Sequence, residues 1–129
     1  MDRSLNRVAI VGAALVALIL TVNSAQAAGD PVNGKALFAR CAICHKTTKD
    51  GGNGLGPNLF GVGGRKAGIA AGFAYSDAMK KSGITWTEDK LEAYIADPKG
   101  VVPGNRMAFV GLSNRSQADD VAAYLLTLK

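Results

Sequence analysis

The stretch Arg40-Cys41-Ala42-Ile43-Cys44-His45 decides how this chain is read. It has the form Cys-x-x-Cys-His, the spacing used to attach a haem covalently. On a helical turn, residues three and four apart share a face, so Cys41, Cys44 and His45 are expected to point at one flat partner. Each thiol could add to one porphyrin vinyl group, and the imidazole could reach the iron from the same side. Two simpler readings compete. A Cys41–Cys44 disulfide of the thioredoxin-like kind needs a βαβ context, which the flanking sequence does not offer. A structural zinc normally takes four protein ligands, against two Cys and one His in the whole chain. If a haem is bound through histidine, His45 must be the ligand.

Upstream of the motif, Asp30 is a helix cap and Pro31 suits a first turn. The spacing predicts a helix over 32–40, burying Leu37 and Phe38 and leading into the attachment turn. Gly34 is a poor helix former, which points to another backbone passing close by. Further upstream, Arg3 and Arg7 give a net-positive start despite Asp2, and Val8 to Leu20 is almost wholly apolar. Ala25-Gln26-Ala27 has the A-x-A form of a cleavage site. Residues 1–27 therefore read as a cleavable export signal, since the apolar run is shorter than the roughly 20 residues of a membrane span. An uncleaved anchor is the alternative. Either way the working domain, residues 28–129, is expected outside the cytoplasm, in the periplasm.

Cleavage leaves 102 of the 129 residues, and removing Arg3, Arg7 and Asp2 takes the net charge from +5 to +4. That is one small domain at most, with a thin core of its own. A buried haem would supply a large apolar slab for short helices to pack around. The modest charge and the export signal argue against nucleic acid as a partner.

Downstream, Lys46 to Gly64 is rich in Gly and Asn and reads as loop. A loop that long in a small domain usually wraps something, and it continues to Gly72 with Arg65 and Lys66 inside it. A short helix is expected from Ser76 to Lys81, ended by Gly83. Thr87 is expected to cap the next helix, with Glu88 and Asp89 in its positive first turn and Leu91, Tyr94 and Ile95 on one stripe. Asp97-Pro98 stops it. Asp97 to Phe109 reads as an irregular, constrained path of Ω-loop size, with Met107 near its end. The last helix is expected to start near Ser116, with Asp119 and Asp120 in its first turn and Val121, Tyr124, Leu125 and Leu128 on its apolar face. No strand pattern and no internal repeat stand out, so the fold class is all-α.

Over nearly all of residues 29–129 the chain resembles class I cytochrome c, of the bacterial cytochrome c2 and mitochondrial type. The resemblance is carried by Cys-Ala-Ile-Cys-His at 41–45, Gly-Pro-Asn-Leu at 56–59, Gly-Arg-Lys at 64–66 and Gly-Phe-Ala-Tyr-Ser at 72–76. Ile-Thr-Trp at 84–86, Tyr94-Ile95, Asp97-Pro98-Lys99, Pro-Gly-Asn-Arg-Met at 103–107 and Ala-Tyr-Leu at 123–125 complete it. It implies short helices and long loops wrapped around one haem c, covalent through Cys41 and Cys44. His45 and Met107 would be the iron ligands, and the Pro57 carbonyl would accept from the His45 ring. Tyr75, Trp86 and Arg65 would contact the haem propionates, and Tyr94 would lie on the methionine side. Gly34 and Phe38 would meet Tyr124 where the first and last helices cross. Two positions depart from the family pattern: Met79, where relatives often carry Asn, and Asn105, where Thr is frequent.

The resemblance implies a monomeric single-electron carrier and no enzyme, since filling both axial positions leaves no site for substrate. A soft thioether favours ferrous iron. Expected partners are acidic redox proteins: a quinol-oxidising cytochrome bc1-type complex, and a terminal oxidase or photosynthetic reaction centre. Arg40, Lys99 and Arg106 would ring the haem edge as a docking face. Competing readings are a gas-binding or sensing haem protein with an open iron, and a haem peroxidase. The latter would need a distal acid–base group, for which no second histidine exists.

Overall fold

The computed structural model describes residues 28–129; the expected signal peptide, residues 1–27, lies outside them. The chain enters α1 (Pro31–Leu37) through Asp30, whose carboxylate accepts from the N–H groups of Val32 (2.8 Å) and Asn33 (3.4 Å). Pro31 takes the first helical position, where its missing N–H costs nothing. The helix then tightens into a 3₁₀ turn, Phe38–Arg40, that delivers the chain into the Cys41–Cys44 turn. Such tightening is common at a helix C-terminus, and it divides what the spacing predicts as one helix over 32–40.

Four more helices follow: α2 (Asp77–Lys81), α3 (Glu88–Ala96), α4 (Pro98–Val101) and α5 (Arg115–Leu126). Among the described residues the only β feature is one antiparallel bridge between Lys66 and Thr85. The fold is all-α, with long loops between short helices. No helix of the described residues is long and apolar enough to cross a membrane.

Three local expectations are corrected. Thr87 stands at the N-cap of α3 with extended backbone, but its side chain makes no capping bond. The Asp97-Pro98 pair that ends α3 also starts a helical turn: Asp97 accepts from Gly100 N–H (3.0 Å) and Pro98 opens α4. A capping carboxylate followed by a proline is as good a start signal as a stop signal. Finally, Asn114 caps α5 and places its start at Arg115, so Asp119 and Asp120 fall beyond the first turn.

Asp120 is instead a clasp. Nine per cent exposed, it accepts from the Asp30 N–H (2.7 Å) and the Asn33 side-chain amide (2.6 Å), tying the start of α1 to the middle of α5. The two helices cross in near contact at Gly34, where a Cβ would run into the Asp120 carbonyl. Beside the crossing, the Phe38 and Tyr124 rings meet at 5.3 Å. The other side of α5 packs on α3, with Ala118, Val121, Ala122 and Leu125 buried against Leu91 and Ile95. Each large apolar side chain so buried contributes about 1.5–3 kcal/mol. These contacts make α1, α3 and α5 the frame, and the loops hang a cavity on it.

Candidate functional site

The nine residues singled out from the sequence, Cys41, Cys44, His45, Pro57, Arg65, Tyr75, Trp86, Tyr94 and Met107, all line one cavity of about 590 Å³. That volume falls within the usual size of a cofactor pocket, and most of the remaining wall is apolar, including Phe38, Leu59, Val62, Phe73, Met79, Leu91, Ile95, Phe109, Val121 and Leu125.

The attachment turn follows directly from the helix before it. Phe38 O accepts from the N–H groups of Cys41 (2.8 Å) and Ala42 (2.9 Å), and Cys41 O accepts from those of Cys44 (3.0 Å) and His45 (2.9 Å). This helical winding brings both cysteines and the imidazole to one wall. Both cysteines are half-buried and no disulfide joins them, and among the described residues no cluster of His, Cys, Asp and Glu forms a metal cage. Burial pushes the Cys41 thiol above its ordinary pKa, with Cys44 adding to this and the Arg40 charge opposing it.

His45 Nδ1 lies 2.7 Å from the Pro57 carbonyl. A carbonyl only accepts, so Nδ1 carries the proton and the Nε2 lone pair is left to bind a metal. Burial depresses the His45 pKa, and the Pro57 bond partly restores it. The imidazole is thereby kept neutral, the form that ligates. The loop reaches this position because Gly56 has no side chain: a Cβ there would come within 2.5 Å of the His45 Cε1 and 2.8 Å of Nδ1. Gly56 N–H closes the loop onto the motif by donating to Cys44 O (3.0 Å).

Polar groups on the remaining wall are held with donors to spare. Arg65 donates to the carbonyls of Phe60 (3.1 Å) and Asn58 (2.9 Å), which fixes the guanidinium while leaving it further N–H groups. The Tyr75 hydroxyl accepts from Ala70 N–H (3.2 Å) and keeps its own proton for another acceptor. Trp86 and Tyr94 pack ring to ring at 5.0 Å. Burial pushes the Tyr94 phenol up to about 12, so it too stays a donor. A group with an apolar body and anionic edges fits such a wall.

Sequence reasoning missed residues that hold the loops. Asn53 accepts from Asn58 N–H (2.9 Å) and donates to Ala71 O (2.9 Å), while Asn58 donates to Thr48 O and Gly52 O. Met79, already singled out in the sequence as a departure from the family pattern, is on α2 a buried part of the cavity wall. The Gly/Asn richness of Lys46 to Gly64 signals loop, and only the fold shows which asparagines turn inward.

The family pattern described as cytochrome c matches residues 31–129. The chain belongs to the cytochrome c family. It is a class I, cytochrome c2-like member: cytochrome c2 of Rhodomicrobium vannielii is 50% identical over 121 residues, 94% of each chain. Cytochrome c2 of Rhodoblastus acidophilus is 51% identical over 79% of this chain and 95% of its own. Among solved structures, cytochrome cH from Methylobacterium extorquens superposes with a TM-score of 0.72 at 49% identity, covering 77% of this chain and 99% of that one. This cytochrome is an electron carrier and not an enzyme, and it holds one haem c through Cys41 and Cys44.

Proposed function

We propose that this cytochrome shuttles single electrons through the periplasm from a quinol-oxidising bc1-type complex to a terminal oxidase or photosynthetic reaction centre. Residues 1–27 are its cleavable signal, and it works as a monomer. His45 and Met107 are the iron ligands. Arg65, Tyr75 and Trp86 meet the propionates, and Tyr94 lies on the methionine side.

The observation that carries the ligand reading is the shared cavity. His45, its Nδ1 proton committed to Pro57, and Met107, on the 97–109 loop, both line it. When bound, the haem supplies a one-electron couple. The chain's part is to keep the iron's surroundings the same in both oxidation states. Pro57 fixes the imidazole orientation. The apolar wall disfavours the extra charge of the ferric state and excludes water. Arg65, Tyr75 and Trp86 offer donors that a buried propionate needs.

The test is Met107→Ala. The holo-protein is expected to lose its thioether–iron absorption, to fall in reduction potential and to bind carbon monoxide rapidly when reduced. Unchanged potential and absorption would falsify the methionine assignment. Rapid, complete carbon monoxide binding by the unaltered ferrous protein would favour the gas-sensing reading instead.

A further inference from the structure

The segment that brings Met107 to the cavity is irregular, yet one buried polar side chain splices it to a helix. Asn105 is 5% exposed. Its Nδ2 donates to the carbonyls of Pro98 (2.9 Å) and Val102 (2.8 Å), and its Oδ1 accepts from the Met107 N–H (2.9 Å). Its backbone N–H also donates to Val102 O (3.1 Å), and its carbonyl accepts from Lys99 Nζ (3.2 Å). Four of these bonds therefore reach back to the α4 segment, and one reaches forward to Met107. α4 in turn packs on α3, part of the frame.

On the outer side, Arg106 donates to Ala74 O (2.7 Å), but that bond is exposed. Water replaces an exposed donor cheaply, whereas a buried amide stripped of its partners loses the full solvation it gave up on folding. The inner splice is thus the stronger of the two. It is also one a threonine at this position could not reproduce. A hydroxyl has one proton to give, so it can serve one of the two α4 carbonyls and not both.

We infer that Asn105 is the positioning residue for Met107, and that it sets how readily a competing ligand displaces the methionine from iron. This rests on the reading of Met107 as ligand. A competing ligand needs room that the Met107 segment occupies, and moving that segment aside takes the Met107 backbone off Asn105 Oδ1 or Asn105 off α4. Either move strands buried polar groups.

The experiment titrates ferric holo-protein with imidazole and follows the thioether–iron absorption. Wild type, Asn105→Ala, Asn105→Thr and Met107→Ala are compared, and global unfolding is measured by far-UV circular dichroism. Asn105→Ala is expected to bind imidazole on the order of tenfold more tightly than wild type, from the size of a lost buried hydrogen-bond set. Asn105→Thr, which keeps an acceptor for Met107 and one donor, should fall between. Wild-type imidazole affinity in Asn105→Ala, with or without a lower unfolding midpoint, makes Asn105 a fold-holding residue only and overturns the proposal. If the alanine variant yields no holo-protein, the threonine variant decides: roughly threefold tighter binding supports the proposal, and unchanged binding ends it. Met107→Ala separates the two readings. If it retains the thioether–iron absorption, the ligand assignment is wrong; if it loses that absorption while both Asn105 variants match wild type, only the Asn105 inference is.

Discussion

At the scale of single residues, the site depends on a side chain that is missing. Gly56 lets the 46–64 loop lie against the His45 ring, and the Pro57 carbonyl is delivered to Nδ1 as a result. A methyl group in that contact must push either the ring or the loop, and overpacking of this kind costs about 1–3 kcal/mol. Gly56→Ala should lower the unfolding free energy of the holo-protein by that amount in guanidinium titration. It should also speed solvent exchange of the His45 Nδ1 proton seen by NMR, because the Pro57 bond lengthens. Wild-type stability together with wild-type exchange would show that the loop yields without strain. The contrast with Asn105 is instructive. Gly56 works by absence, leaving room beside the His45 ring, and Asn105 by saturation, with both polar ends of its buried amide bonded.

At the scale of elements, charge placement on α3 exposes a cost in the frame. Glu92 sits one turn after Glu88 and beside Asp89 on its own helix, and α5 adds Asp119 and, with the opposite sign, Arg115. Burial first, then the charges of Asp119, Glu88 and Asp89, raise its pKa, and Arg115 opposes them. A raised carboxyl favours the folded state while protonated. That contribution is full below the ordinary value near 4.5 and is lost as pH rises through the folded value. Glu92→Gln should therefore stabilise the protein at neutral pH by about 0.2–0.5 kcal/mol, the scale of a like-charge pair at this spacing. The gain should vanish in denaturant titrations run below pH 4.5. A gain that persists there would assign the effect to packing. The same helix shows what is legible from sequence. Leu91 and Ile95 are buried as their spacing requires, because a period of 3.6 repeats often enough over nine residues to be seen. α4 is a single turn of four residues with no period to detect. Asp97-Pro98 carries both its signal and the stop signal for α3, and a reader of the string meets the stop first. Thr87 occupies the right place and makes no bond, since composition gives candidates for a cap and only geometry gives the bond. Asp120 is a carboxylate that dipole arguments place in a first turn. Its real partners lie 90 and 87 residues away, and nothing local announces them.

At the scale of the whole molecule, the frame and the cavity leave a cationic surface with little internal compensation. Among the described residues the one salt bridge joins Lys80 and Asp77 at 3.1 Å, and both are well exposed. Arg40 and Arg106 line the cavity and are themselves exposed, and exposed Lys99 reaches only the Asn105 carbonyl. Lys35 and Lys90, by contrast, are exposed on α1 and α3 and do not line the cavity. If the cavity mouth is where an acidic partner docks, charge there should matter more than the same charge elsewhere. Double variants Arg40→Gln with Lys99→Gln, and Lys35→Gln with Lys90→Gln, lose the same net charge; because Lys99 also bonds the Asn105 carbonyl, the first pair tests placement once its ferric imidazole affinity is shown to equal that of wild type. Stopped-flow oxidation by an isolated oxidase should slow about tenfold for the first pair at low salt and much less for the second, since steering raises association by 10–10³. The difference should shrink as salt shortens the screening length from about 30 Å at 0.01 M to about 3 Å at 1 M. Steering acts on encounter and leaves the electron-transfer step untouched, so all three proteins should converge at high salt while their reduction potentials stay equal. Equal slowing of both pairs would reduce the effect to net charge and remove the docking face. A rate flat in ionic strength for the wild type would remove electrostatic steering altogether.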